Sequence, residues 1–214
     1  MKDFSKDEWG LVLAGGGGKG AYQAGAFKAL WEYGIQDYIT AVSGASVGAL
    51  NAVLFANKDI KAAGAAWESV SRGQFLAIEP SMIDGKEGLV SREGLLKMID
   101  DYVNLEQVRT GDVTVYAAAT EYDENGEGQG SIRYFELNNR PQDEIKDILL
   151  ASSALPFIYT PVQIGDRKYR DGGLTDNLPI EPLYDKGIRH FIVIGLSMDL
   201  SLIHISEPTR HAQI

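Results

Sequence analysis

The sequence predicts an α/β domain built around a mostly parallel sheet. Two features predict it: short apolar runs end in glycine turns that feed helix-forming stretches, and this strand–turn–helix rhythm recurs along the chain. The first strand is Gly10-Leu11-Val12-Leu13-Ala14, stopped by four consecutive glycines. Residues 21–33 follow as a helix, with Ala26, Ala29, Leu30 and Tyr33 at helical spacing and Gly34 as its stop. A second strand, Tyr38-Ile39-Thr40-Ala41-Val42, breaks at Ser43-Gly44 and leads into an apolar helix over 47–57. Another helix is expected over 64–73. Pro80, Gly85 and Gly88 make 74–94 a loop-rich excursion, and an amphipathic helix over 95–102 follows Ser91. Residues 112–120 form a third strand, apolar enough for burial on both faces. The acidic, glycine-rich stretch 121–130 reads as a surface turn before a strand over 132–137. A helix over 143–152, a hairpin turning at Gly165-Asp166, a short helix and a strand over 191–196 complete the order.

The chain has 214 residues, the length of one ordinary domain, and 44% of them are apolar, enough to fill a core. The formal net charge is −10, with basic residues scattered, which argues against nucleic acid as a partner and against docking on anionic lipid by bulk charge. No run is long and apolar enough to span a bilayer, and the N-terminal residues have no signal-peptide core, so the cytoplasm is the expected location. A local apolar patch in the 74–89 excursion is a candidate for peripheral lipid contact. There is no cysteine, hence no disulfide, thiol nucleophile or thiolate metal site. No metal-ligand cluster is visible in the sequence, and no cofactor is expected. Residues 200–210, Leu-Ser-Leu-Ile-His-Ile-Ser-Glu-Pro-Thr-Arg, resemble a translated transposase adapter of the kind used in preparing sequencing libraries. We therefore expect a domain over 9–198, incomplete at its C-terminus, and an artefactual tail over 199–214.

Gly15-Gly16-Gly17-Gly18-Lys19-Gly20 lies between a strand and a helix and satisfies the spacing G-x-G-x-x-G. A dinucleotide fold wants an acid at the end of the next strand, but Asp37 precedes that strand instead. A phosphate-binding P-loop fails, because Gly20 stands where Ser or Thr is needed and Leu13 where the first glycine is needed. Beside the weakened dinucleotide reading stand a structural turn and a cradle of amides for a developing oxyanion.

Gly44-Ala45-Ser46-Val47-Gly48 matches G-x-S-x-G and stands where a strand gives way to a helix, the setting of a nucleophile elbow. The turn is sharp, so positions 44 and 48 must be tiny. Ser46 would project at the strand's C-terminal end, close to a helix N-terminus that favours negative charge. A plain N-cap serine is the competing reading. A hydroxyl needs a base. With the tail set aside, His190 is the sole histidine, and it precedes a strand, on the sheet end opposite Ser46. Asp171, in Tyr169-Arg170-Asp171-Gly172-Gly173, ends an extended segment beside two glycines that permit a tight turn.

The glycine run, the serine elbow and Asp171-Gly172-Gly173, in that order, resemble the patatin-like phospholipases, as does Ala151-Ser152-Ser153-Ala154-Leu155-Pro156-Phe157 with Pro161. The resemblance covers about residues 9–196. It implies a three-layer α/β/α fold and a Ser46–Asp171 dyad that hydrolyses acyl esters of lipids through an acyl-enzyme. It implies an oxyanion hole at Gly15, Gly16, Gly17 and Gly18, with Lys19, Gly20, Gly44, Gly48, Gly172 and Gly173 as supporting positions. Lys19 is expected to hold the loop, and Ser152 and Ser153 to cap a helix near the site. The expected partner is a lipid or other acyl-ester substrate. At an ordinary carboxylate pKa of about 3.9, Asp171 would be a weak base at neutral pH. Two readings from other classes stay open: a nucleotide-binding protein that uses the glycine loop, and a lipid-binding module without catalysis.

Overall fold

The computed structural model describes residues 8–71, 92–122 and 130–196. Most of the 74–94 excursion, most of the 121–130 turn and the 199–214 tail lie outside the described residues. Fourteen helices and strands follow in order: β1 (Trp9–Leu13), α1 (Ala21–Glu32), β2 (Ile39–Ala45), α2 (Val47–Ala56), α3 (Ile60–Ser71), α4 (Arg92–Tyr102), α5 (Leu105–Thr110), β3 (Thr114–Tyr122), β4 (Ile132–Glu136), α6 (Gln142–Ser152), β5 (Val162–Ile164), β6 (Arg167–Asp171), α7 (Glu181–Asp185) and β7 (His190–Ile194).

The sheet is mixed. Its parallel block runs β7-β1-β2-β3, and beyond it β4 and β6 pair antiparallel with β3, with β5 antiparallel to β6. Side chains alternate across the sheet, so Leu11 and Leu13 enter the main core while Val12 faces the other way. The main core packs Phe27 of α1, Leu54 and Phe55 of α2, Met98 and Ile99 of α4 and Ile148 and Leu149 of α6 against that face. Val12 and Ala41 meet Leu183 and Ile188 on the opposite face, where α7 is the covering helix among the described residues. Helices therefore lie on both sides of the sheet, with one layer much thinner than the other. Among the described residues no helix is long and apolar enough to cross a membrane.

One expected boundary is wrong in a way that matters for the site. The second strand does not break at Ser43-Gly44; it continues through Ala45, with Ser43, Gly44 and Ala45 paired to Tyr116, Ala117 and Ala118 of β3. Ser43 and Gly44 are poor strand formers on their own, but a place between two paired neighbours overrides local preference. The extension carries the chain directly into Ser46.

Candidate active site

Two strands meet head-on along one edge of β3. The parallel strand β2 covers that edge as far as Ala45 opposite Ala118, and the antiparallel strand β6 arrives from the other direction with Asp171 opposite Ala119. Ser46 leaves the end of β2 and Asp171 ends β6, so adjacent positions on β3 bring together residues that are far apart in sequence.

Ser46 has φ 54° and ψ −127°, a backbone conformation costly for a residue with a side chain. Close packing explains both flanking glycines. A Cβ at Gly48 would stand 2.1 Å from the Leu13 carbonyl oxygen, and one at Gly44 would stand 2.2 Å from the Gly48 carbonyl. The Ser46 hydroxyl makes no capping bond to α2, which removes the plain N-cap reading. The Ser46 N–H donates to Ser152 Oγ (2.9 Å), and the Ser152 hydroxyl donates to the Ala118 carbonyl (2.6 Å). Ser152 thus ties the elbow to β3 rather than capping a helix; Ser153 occupies the C-cap position of α6.

Asp171 is 2% exposed. Its Oδ1 accepts the Gly173 N–H (2.8 Å), and its own N–H donates to the Ala154 carbonyl (3.0 Å). Burial pushes its carboxyl up to about 6, against the Ser46 hydroxyl and the Gly173 amide, both of which favour the anion. Oδ2 is buried and makes no hydrogen bond of good geometry. The Ser46 hydroxyl thus acts on the carboxyl's charge without a closed hydrogen bond to Oδ2. Gly172 is buried against the Ala118 carbonyl. The end of α6 consequently braces both groups, Ser152 on Ser46 and Ala154 on Asp171, which accounts for the Ala-Ser-x-Ala block.

The glycine turn lies beside Ser46: a Cβ at Gly15 would stand 3.1 Å from Ser46 Cβ. Gly15 itself corrects an expectation, because its N–H donates to Asn177 Oδ1 (3.0 Å) and Asn177 Nδ2 donates back to the Gly15 carbonyl (3.3 Å). That amide is already engaged. Gly17 and Gly18 open a short 3₁₀ turn, Gly17–Gly20, where N–H groups have no partner within the turn. Lys19 is exposed and forms no ion pair among the described residues, and its N–H donates to the Gly16 carbonyl (3.3 Å), so backbone rather than its side chain shapes the loop. Val47, the first residue of α2, adds another helix-start amide next to the serine; the G-x-S-x-G pattern itself marks it, although the sequence analysis did not single it out.

A buried polar clamp holds both ends of this loop. Gln23 Nε2 donates to the carbonyls of Ala14 (2.9 Å) and Ile194 (3.1 Å), while Asn51 Nδ2 donates to Gly20 (3.0 Å) and to Gln23 Oε1 (2.7 Å). Trp67 Nε1 donates to Asn51 Oδ1 (2.8 Å), and the Trp67 ring closes over Gly20. Asn51→Leu would orphan three buried groups at once. It is expected to lower unfolding stability by about 3 kcal/mol or more, at 1–3 kcal/mol for each orphan; a urea midpoint close to wild type would contradict the clamp.

His190 opens β7 opposite Trp9, stacked on its ring at 5.4 Å, and so lies at the other end of the sheet from Ser46. Asp37 sits before β2 in a short 3₁₀ turn, leaving the end of β2 without the acid that a bound ribose would need. Among the described residues no group of three or more His, Asp or Glu side chains is placed to hold a metal ion.

The family model of the patatin-like phospholipases matches residues 11–184. The chain belongs to this family. Relatives of this patatin-like chain include a Mycobacterium tuberculosis protein named an uncharacterized NTE family protein, 26% identical over 214 residues, which are all of this chain and 54% of that protein. Another is the Cryptococcus neoformans lysophospholipase NTE1, 26% identical in an alignment of 210 positions that covers 92% of this chain and 12% of that protein. Among solved structures, VipD from Legionella pneumophila shares the fold with a TM-score of 0.51 and 18% identity, over 81% of this chain and 47% of that one. The patatin-like chain thus spans about half the length, or less, of the curated relatives it matches.

Proposed function

We propose that this patatin-like chain is a serine acyl hydrolase that cleaves fatty-acyl esters of lipids, with Ser46 as nucleophile and Asp171 as its base. The observation that carries the reading is the head-on meeting of β2 and β6, which sets a hydroxyl on a strained elbow against a buried carboxyl. Asp171 takes the Ser46 proton as Oγ attacks the ester carbonyl. The tetrahedral oxyanion is held by amides of the Gly16–Gly18 turn with that of Val47, and Asp171 returns the proton to the departing alcohol. Water, deprotonated by the same carboxylate, then releases the acid from the acyl-enzyme. Burial improves Asp171 for this work, because a carboxyl near 6 is a better base than one near 3.9 and is still mostly ionised at neutral pH.

The reading has a pH signature. Hydrolysis of a soluble ester such as p-nitrophenyl butyrate should fall on the acid side with an apparent pKa close to 6, as Asp171 of the free enzyme takes up a proton. A kcat/KM that stays flat down to pH 4.5 would exclude a base of this kind. Hydride transfer with a nicotinamide, or acyl-chain binding without ester cleavage, would favour the other classes.

A further inference from the structure

Phe157 is fully exposed, at 104% of its reference area, and has φ +66°, the left-handed region that bulky residues avoid. A lone exposed aromatic needs no explanation. Phe157 differs from such a residue in three respects. First, its neighbours are drawn inward while it is held out: Tyr159 packs on the main core, and the N–H groups of Ile158 and Tyr159 both turn back to the Leu155 carbonyl (3.3 and 3.0 Å). Second, residues 148–165 contain no Asp, Glu, Lys or Arg in a chain that is 23% charged. Third, Ala154, three residues earlier, accepts the Asp171 N–H, so Phe157 lies within about 10 Å of that contact by chain length alone. Leu174, three residues beyond Asp171, is also 48% exposed.

We propose that Phe157, aided by Leu174, inserts into the surface of a zwitterionic lipid bilayer and seats the catalytic end of the sheet upon it. The choice of partner rests on the acyl-hydrolase reading. An aromatic anchored at the boundary of headgroups and acyl chains, where the ester bonds lie, keeps the Asp171 contact within about 10 Å of that anchor along the chain. The absence of charge from the segment suits that depth, and the net charge of −10 selects a neutral surface over an anionic one.

The test is cosedimentation of the full chain with phosphatidylcholine vesicles, comparing wild type, Phe157→Asp and Phe157→Trp. Wild type should bind. The aspartate variant should bind about tenfold or more weakly, as expected for loss of one buried aromatic side chain plus insertion of a charge. The tryptophan variant should bind and add a vesicle-induced blue shift in emission, which guards against misfolding of the first variant. Binding that is equal in wild type and Phe157→Asp, or absent in both, overturns the proposal. So does a tryptophan signal that vesicles leave unmoved, or a loss of self-association in Phe157→Asp with vesicle binding intact. Hydrolysis of p-nitrophenyl butyrate by wild type, measured alongside without vesicles, reports separately on the Ser46–Asp171 reading.

Discussion

Ser46→Ala is expected to abolish covalent capture by a fluorophosphonate probe and to lower turnover of a soluble ester by about 10⁴-fold or more, the scale on which removal of an activated serine acts. The cause is local. Ser46 is half-buried, and its N–H is fixed by Ser152, so the probe's phosphorus has one oriented oxygen to meet. Alanine keeps the backbone and that N–H bond, leaving the elbow strained and folded. On the proposed mechanism, the residual rate should come from amides of the glycine turn and Val47, which would still polarise an ester carbonyl without a nucleophile. Peptide mapping of the labelled wild type should place the adduct on Ser46. Undiminished labelling of the alanine variant would send the nucleophile elsewhere.

Local signals made much of this fold legible in the sequence. Gly34 ends α1 in the left-handed conformation its position demands, and the glycines at 44 and 48 mark a turn whose carbonyls leave no room for a Cβ. Polar caps set helix starts that apolar spacing alone does not reveal. Asp59 accepts the N–H groups of Lys61 and Ala62 and starts α3 four residues before the expected 64–73 helix, and Asn104 caps α5, a short helix that apolar spacing does not mark. What no local pattern carries is pairing between distant segments. That Asp171 stops one register position beyond Ala45 on β3, that Asn177 takes up the Gly15 amide and that Ser152 holds Ser46 all depend on contacts between segments far apart in sequence. The raised pKa of Asp171 belongs to the same class, since burial is a property of the packed domain.

On the proposed dyad, Asp171→Asn should abolish ester hydrolysis and stabilise the fold. The carboxyl, raised from 3.8 to about 6 in the folded chain, is easier to ionise once unfolded. Its contribution to stability is therefore fully present below about pH 4, where both states are protonated, and is lost as pH rises through about 6. At pH 8 the buried anion costs up to about 3 kcal/mol relative to its neutral form. Asparagine is neutral at every pH. Its Oδ1 can keep the Gly173 N–H bond, and its Nδ2 replaces an oxygen that has no well-formed partner, with the Ser46 hydroxyl close by to accept. Urea unfolding at pH 8 should show Asp171→Asn more stable than wild type by about 1–3 kcal/mol, with the difference shrinking toward zero by pH 4. Equal stability at pH 8 would mean that the carboxylate is better solvated or better bonded than its burial implies. A gain that persisted at pH 4 would point to packing instead of charge. On the proposed dyad, this exchange of stability for a usable base would separate Asp171 from a carboxylate that merely closes a turn, because a turn residue gains nothing from being buried as an anion.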